Sequence, residues 1–336
     1  MADRYAILTT GAHNSSDTAT WSSTADGLTT PASVPTSVDN VYISAICQAG
    51  ATLTIDAVLN CLNMDWTGAT NSPALVQAAH VNLYGNLTTI AAMSWTGAFI
   101  LYTEGSGGTS TLTTNGLYIN NSRIASDAGT LALGDDLHCN RLVHGRPFNS
   151  GGFTVTCNEF EKLDAAVITW TLTNSTINCT SFTVGFANLT LVATGSTIKV
   201  SGTGAFTGNG LTYNDVELIG TAHTITGNNT FASLAFKPSG AQTITGTGVT
   251  QTFGNMHRTG LGTITLVNGT YTKTGGGRIG LYKMSISGST FNPANAGYAG
   301  YGSVDGGGNT GWIFLDSPDR NRETQRVAEM IMEGIV

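Results

Sequence analysis

The sequence predicts an all-β chain: a parallel β-helix, or solenoid, with a short C-terminal α-helix. Three observations predict it: a repeat of about 20 residues, apolar residues flanked by threonine within each repeat, and glycine or asparagine turns between them. The clearest copies are Thr224-Ile225-Thr226-Gly227, Thr243-Ile244-Thr245-Gly246 and Thr263-Ile264-Thr265, whose isoleucines lie 19 and 20 residues apart. Backwards along the chain, Ile198, Ile177, Val155, Leu133 and Leu112 continue the series at spacings of 27, 21, 22, 22 and 21. A second track pairs Phe231 and Leu234 with Phe253 and Met256, each 22 residues on.

Alternation sends the isoleucine of Thr-Ile-Thr to one face and both threonines to the other, so each strand has a dry side and a wet side. One such repeat cannot shield its own apolar side, and stacking repeats about 4.8 Å apart supplies the cover. A solenoid over residues 45–285, at roughly 21 residues per coil, makes about 11 turns. A string of antiparallel sandwiches is the competing architecture, but it needs strand spacings of roughly 8–12 residues and hairpin turns. Glycine supplies 43 of 336 residues and charged residues only 10%, while 40% are hydrophobic and periodically placed, which favours order over a polar disordered tract.

Along the chain, residues 1–40 form an N-terminal arm or cap, rich in Ser, Thr and Ala and containing Trp21, Pro31 and Pro35. An open solenoid end exposes strand edges and core, which gives such a segment its purpose. Residues 41–315 are the solenoid, opening on the strand of Val38–Ile43 and closing on Gly311-Trp312-Ile313-Phe314. Trp66, Trp95, Phe99 and Tyr102 add bulk to the first coils, as core filling or as a contact surface. Residues 316–336 read as an amphipathic helix, with Ser317 at the N-cap, Pro318 at the first helical position and Asp319 at the positive end of the dipole. Val327, Met330, Ile331 and Ile335 form its apolar stripe, the interaction residues of the chain. That stripe docks either on the solenoid itself or on another protein.

Chemistry-bearing motifs are few. A net charge of −7 without a Lys/Arg cluster argues against nucleic acid as a partner. No signal-peptide core follows Met1, and no stretch approaches the roughly 18 apolar residues of a membrane span. The expected chain is therefore made in a cytoplasm and does not enter a membrane. Cys47, Cys61, Cys139, Cys157 and Cys179 lack CxxC spacing, and the last three fall near coil spacing, as an inward column would. No metal or other cofactor is expected. Gly275–Gly280 fits GxGxxG, yet Leu281–Ile286 behind it reads as strand, leaving no helix N-terminus for a pyrophosphate.

Residues 135–164 hold the densest charge: Asp135, Asp136, His138, Arg141, His144, Arg146, Glu159, Glu161, Lys162 and Asp164. Asp135 and Glu159 are 24 apart, close to one coil, so their carboxylates could share a face and divide acid and base roles in polysaccharide hydrolysis, with Asp136 and Glu161 beside them. The basic residues could equally pair with these acids, as a protein contact or a solvated face. Tyr213, Tyr271, Tyr282, Tyr298 and Tyr301 are candidate platforms for sugar rings on a rigid face.

Thr20-Trp21-Ser22-Ser23, Pro35-Thr36-Ser37-Val38-Asp39-Asn40-Val41-Tyr42-Ile43, the run at 227–234 and Val304–Phe314 resemble segments of β-solenoid virion structural proteins of tailed bacteriophages. The resemblance spans most of residues 20–315 and carries no catalytic residue. It implies a structural or adhesive role in the virion, through contact with phage capsid or tail proteins, in a homo-oligomer for which a trimer is the suggested state. The expectation is thus a capsid decoration or cement protein, with a tail fibre or spike subunit binding host glycan as the alternative and a polysaccharide depolymerase as a third class.

Overall fold

The computed structural model describes residues 1–43, 45–186, 188–237, 240–246, 248–260 and 262–315. Within them the chain is an all-β parallel β-solenoid of about 12 turns. The helical content of the described residues is one short 3-10 turn, Thr18–Thr20. The expected C-terminal helix, with Val327, Met330, Ile331 and Ile335, lies outside the described residues. The chain divides into two compact units, residues 1–176 with 188–192, and residues 177–187 with 193 onward.

In the first unit, coils begin at the N-terminus. Asp3–Ala6 pairs in parallel with Asn40–Ile43, and Gly11–Asn14 with Ala51–Ile55, so residues 1–40 contribute the first rung. They also cover part of its outer edge, because Trp21–Ser22 runs antiparallel along the other side of Asp3–Ala6. Trp21 is buried, and its indole N–H donates to the Ser15 carbonyl at 2.9 Å. Asp39 ties the entry to the second coil, accepting from the Ala2 N–H (2.9 Å), the Thr36 N–H (3.0 Å) and the Thr36 hydroxyl (2.7 Å). Behind it runs one inward column, Val41, Met64, Leu87, Leu112 and Leu133, each residue facing the next across a parallel pair. All five are buried. Asparagine supports the same corner: Asn63 donates to Asn40 (2.8 Å) and accepts from the Asn86 N–H (2.7 Å), while Asn86 accepts from the Thr111 N–H (2.9 Å). Side-chain amides thus satisfy backbone donors that the coil corners leave unpaired.

Corner turns explain the glycine and asparagine content. Asn115-Gly116, Gly151-Gly152 and Asn209-Gly210 all take positive φ at both residues, a conformation that branched side chains resist. Each turn is closed by an N–H···O=C bond, Leu117 to Thr114, Phe153 to Ser150 and Leu211 to Gly208.

In the second unit the track of Tyr213, Phe231 and Phe253 stacks in register, as does Val216, Leu234 and Met256. The steps from Phe231 to Phe253 and from Leu234 to Met256 are the pairings read from the sequence. The Thr-Ile-Thr copies, however, are offset by two positions: Ile244 faces His223, and Ile264 faces Gln242. The true column is His223, Ile244, Leu266 and Ile286. Corner loops of unequal length cause the offset, and because side chains alternate with period two, a shift by two leaves the inward face inward. In the first unit, similarly, Val155 faces Leu137, not Leu133. Aromatic rings fill the interior of the second unit, with Phe182, Phe206, Tyr213 and Phe231 in a chain of ring contacts between 5.3 and 6.0 Å.

Glycine also marks closest approach between coils. A Cβ at Gly220 would collide with the Gly202 carbonyl, and one at Gly262 with the Gly240 carbonyl, whereas one at Gly276 would meet nothing within 4 Å. Gly220→Ala is accordingly expected to cost about 1–3 kcal/mol through overpacking and Gly276→Ala to be nearly neutral. Thermal melts of the two variants check the contrast.

Candidate functional site: the charged patch and its aromatic neighbours

Of the candidate acids, Asp135 and Asp136 sit in the bend just before the strand Leu137–Cys139, and Glu159 and Glu161 on the strand Thr154–Lys162. Register decides which of them meet. His138 faces Thr156 and Arg141 faces Glu159, so the coil here is shorter than the interval between Asp135 and Glu159. Those two acids therefore do not stand at the same height on neighbouring rungs, and the structure does not bring the pair together.

Each candidate acid is engaged within the fold. The Asp135 carboxylate caps the turn of the preceding coil, accepting from the Thr114 N–H at 2.7 Å and the Asn115 N–H at 2.5 Å. Asp136 accepts from the Thr154 N–H at 2.8 Å. Glu159 and Glu161 share Arg141: Nε lies 2.6 Å from Glu159 Oε2 and donates to Glu161 Oε2 at 2.7 Å, while Nη2 reaches that same Glu161 oxygen at 2.5 Å. Arg146 and Lys162 both lie near Asp164, at 3.6 and 3.5 Å, and Lys162 is fully buried. The basic residues thus pair with Glu159, Glu161 and Asp164, while backbone amides hold Asp135 and Asp136.

His144 belongs to the core and not to the patch. Its ring stacks on Phe148 at 4.3 Å and lies 5.9 Å from Trp170, and burial pushes its pKa down to about 3. His223 in the second unit is depressed to about 4, again by burial. A buried imidazole without counter-charge stays neutral because desolvation penalises the cation.

The tyrosine platforms divide. Tyr213 and Tyr271 are core residues, buried and not available to a ligand. Tyr282 and Tyr298 lie under the guanidinium groups of Arg258 and Arg278, at 4.4 and 5.0 Å, and Tyr301 is 54% exposed. Trp66 and Trp95 are likewise core, while Phe99 is partly exposed. Of the Gly275–Gly280 run, residues 275–278 are an exposed bend and the rest belongs to the strand Ile279–Leu281. All five cysteines are buried, and burial raises the Cys61, Cys139 and Cys179 thiols to about 12, far from nucleophilic. Among the described residues no three His, Cys, Asp or Glu side chains are placed to hold a metal ion, and no helix is long and apolar enough to cross a membrane.

Two features escaped the sequence reading. Tyr118 and His138, in directly facing positions, stack at 4.2 Å on the outer face of the first unit. Glu104 is the one described carboxyl held above its usual range, by burial first and then by the charge of Asp127. Both pairings depend on coil lengths that nothing local in the sequence announces. Scans against protein-family models, curated proteins and solved structures find no match. The fold and the site therefore define the chain by class, as a parallel β-solenoid protein whose charged patch is internally paired.

Asp135→Asn is expected to weaken the bonds to the Thr114 and Asn115 amides and lower stability by about 1–2 kcal/mol. Arg141→Met should cost about 1–3 kcal/mol, because Glu161 is buried and loses its counter-charge. Chemical denaturation measures both.

His144 also sets a pH dependence. The unfolded chain takes up a proton near the ordinary value of 6.5 while the folded chain resists until about 3. Stability contributed by neutral His144 is therefore complete above 6.5 and falls by about 1.4 kcal/mol per unit as the pH drops through that window. His144→Leu should remove this part of the slope, leaving that of His223, and change stability little at neutral pH, since neither ring nitrogen has a hydrogen-bond partner among the described residues.

Proposed function

We propose that this chain is a structural component of a bacteriophage virion, a capsid decoration or cement protein that acts by rigid protein–protein contact. The observation that carries the reading is the internal commitment of its ionisable groups: Asp135 and Asp136 cap turns, and Glu159 and Glu161 share Arg141. A chain organised this way offers stiffness and surface instead of reactive groups. The sequence segments that resemble virion solenoid proteins agree with this. Trp21 seals the first coil and Trp312 packs on Phe291 at 4.7 Å in the last described one. Bound to an assembled lattice and not to its free subunits, such a chain stabilises the particle by mass action.

A tail fibre or spike subunit that binds host glycan is the second reading, favoured by the exposed Tyr118–His138 pair. A depolymerase is the third. Its expected acids, Asp135 and Glu159, are held by backbone amides and by Arg141 respectively, which weighs against it.

Quantitative mass spectrometry of purified particles, with a reconstruction to locate the chain, tests the proposal. The decoration reading expects a copy number in simple proportion to the major capsid protein and density on the capsid lattice. A copy number set by the tail, with density at fibre or spike, contradicts it and supports the second reading. Polysaccharide cleavage lost in Asp135→Asn or Glu159→Gln would establish the third.

A further inference from the structure

The outer face carried by the strands Tyr118–Asn120, Leu137–Cys139 and Thr154–Lys162 sets an aromatic pair beside a column of amides. Tyr118 and His138 stand on consecutive coils and stack face to face, centroids 4.2 Å apart with 27° between planes. Their neighbours in the same outward column are small, Ser94 on the Tyr118 side and Thr156 on the His138 side. The pair therefore rises as a short aromatic wall between two lower rungs. The outer face of the phenol looks over Ser94 and that of the imidazole over Thr156.

Two positions further along the strands, about 6.7 Å away and on the same face, runs a column of amides, Asn120, Asn140 and Asn158. Asn158 Nδ2 donates to Asn140 Oδ1 at 2.6 Å, and Asn140 Nδ2 reaches the Asn121 carbonyl at 3.3 Å, which fixes both side chains. Tyr118 is 37% exposed, and Asn120, His138 and Asn158 are also exposed. Asp136 closes the near end, with Oδ1 engaged by Thr154.

We propose that this face binds an extended neutral glycan. A pyranose ring presents a flat patch of C–H groups to an aromatic face and a rim of hydroxyls that both donate and accept. The wall supplies the first surface and the amide column, with carbonyl acceptors and NH₂ donors side by side, supplies the second. Because the two rings stack along the solenoid axis, their free faces lie over Ser94 and Thr156, so a sugar ring lies flat above one of these low rungs and the glycan runs along the strands, with hydroxyls directed at Asn120 and Asn158. A protein partner fits less well, because an interface core needs contiguous apolar area and this face has hydroxyls and amides around a single aromatic pair. No charge on the ligand is required, since Arg141 is already shared by Glu159 and Glu161.

This inference deepens the glycan-binding reading but does not depend on where the chain sits in a particle. Its test therefore uses the purified full-length chain, and the particle location is measured separately. Maltohexaose, cellohexaose, xylohexaose and chitohexaose are titrated in turn by calorimetry against the native chain, Tyr118→Ala, Tyr118→Phe and Asn158→Ala. The proposal expects saturable binding of at least one hexasaccharide, weakened about ten-fold or more by Tyr118→Ala and by Asn158→Ala but largely kept by Tyr118→Phe. Tyr118 and Asn158 are exposed, so the variants are expected to melt like the native chain, which the same samples verify. Binding to none of the four sugars overturns the proposal. So does binding indifferent to Tyr118→Ala, or a Tyr118→Ala effect confined to self-association, which would make the face a protein contact.

Discussion

Parallel pairing between successive coils is the constraint on which everything else in this molecule depends. A coil contributes only a few inward side chains, such as Leu87 or Phe231, and each is shielded only because a residue from the coil before and another from the coil after face it. Register is thus both the source of the core and the rule that assembles any surface site. Where coils approach most closely, as at Gly220 and Gly262, side chains have been dispensed with altogether. Where corners leave amides unpaired, Asn63, Asn86 and Asp135 accept from them. Polar side chains in this chain serve mainly to complete a backbone network that an irregular corner interrupts.

The same constraint accounts for the behaviour of the charged residues. Like charges on facing positions of a parallel ladder would stand about 4.8 Å apart and repel. The fold instead places Arg141 opposite Glu159 and beside Glu161. His144 is carried inward by alternation and becomes one more aromatic of the core beside Phe148 and Trp170, with a depressed proton affinity as the consequence. Outward positions are left for Tyr118, His138 and the asparagine column, and these form an aromatic-and-amide face on the first unit.

Much of the architecture was legible in the sequence. Thr-Ile-Thr alternation announced strands with one buried face, and Asn-Gly pairs at 115–116 and 209–210 announced corners, because both are consequences of local stereochemistry. Phe231 and Phe253 could be matched because the coil between them keeps the period of its neighbours. Pairing that depends on loop length was not legible. Ile225, Ile244 and Ile264 look like one column and are offset by two, and Asp135 looks one coil from Glu159 although the residue that faces Glu159 is Arg141. Tyrosine exposure was equally hidden, since Tyr213 and Tyr301 have similar glycine-rich surroundings and opposite fates. The expected C-terminal helix lies outside the described residues and contributes nothing to this comparison.

Mutual support between coils is tested most directly by removing one of them. Phe231 and Phe253 face each other across one parallel pair, so deleting positions 231–252 joins Thr230 to Phe253 and restores the column with one coil fewer. Deleting only positions 231–241 instead joins Thr230 to Gln242, which belongs to a different pairing track and faces Ile264. Circular dichroism and cooperative thermal unfolding of the two deletions provide the measurement. The account predicts a folded, cooperatively melting solenoid for the whole-coil deletion and loss of the fold for the partial one. Equal disruption by both, or equal tolerance of both, would contradict the claim that register between coils is what holds this protein together.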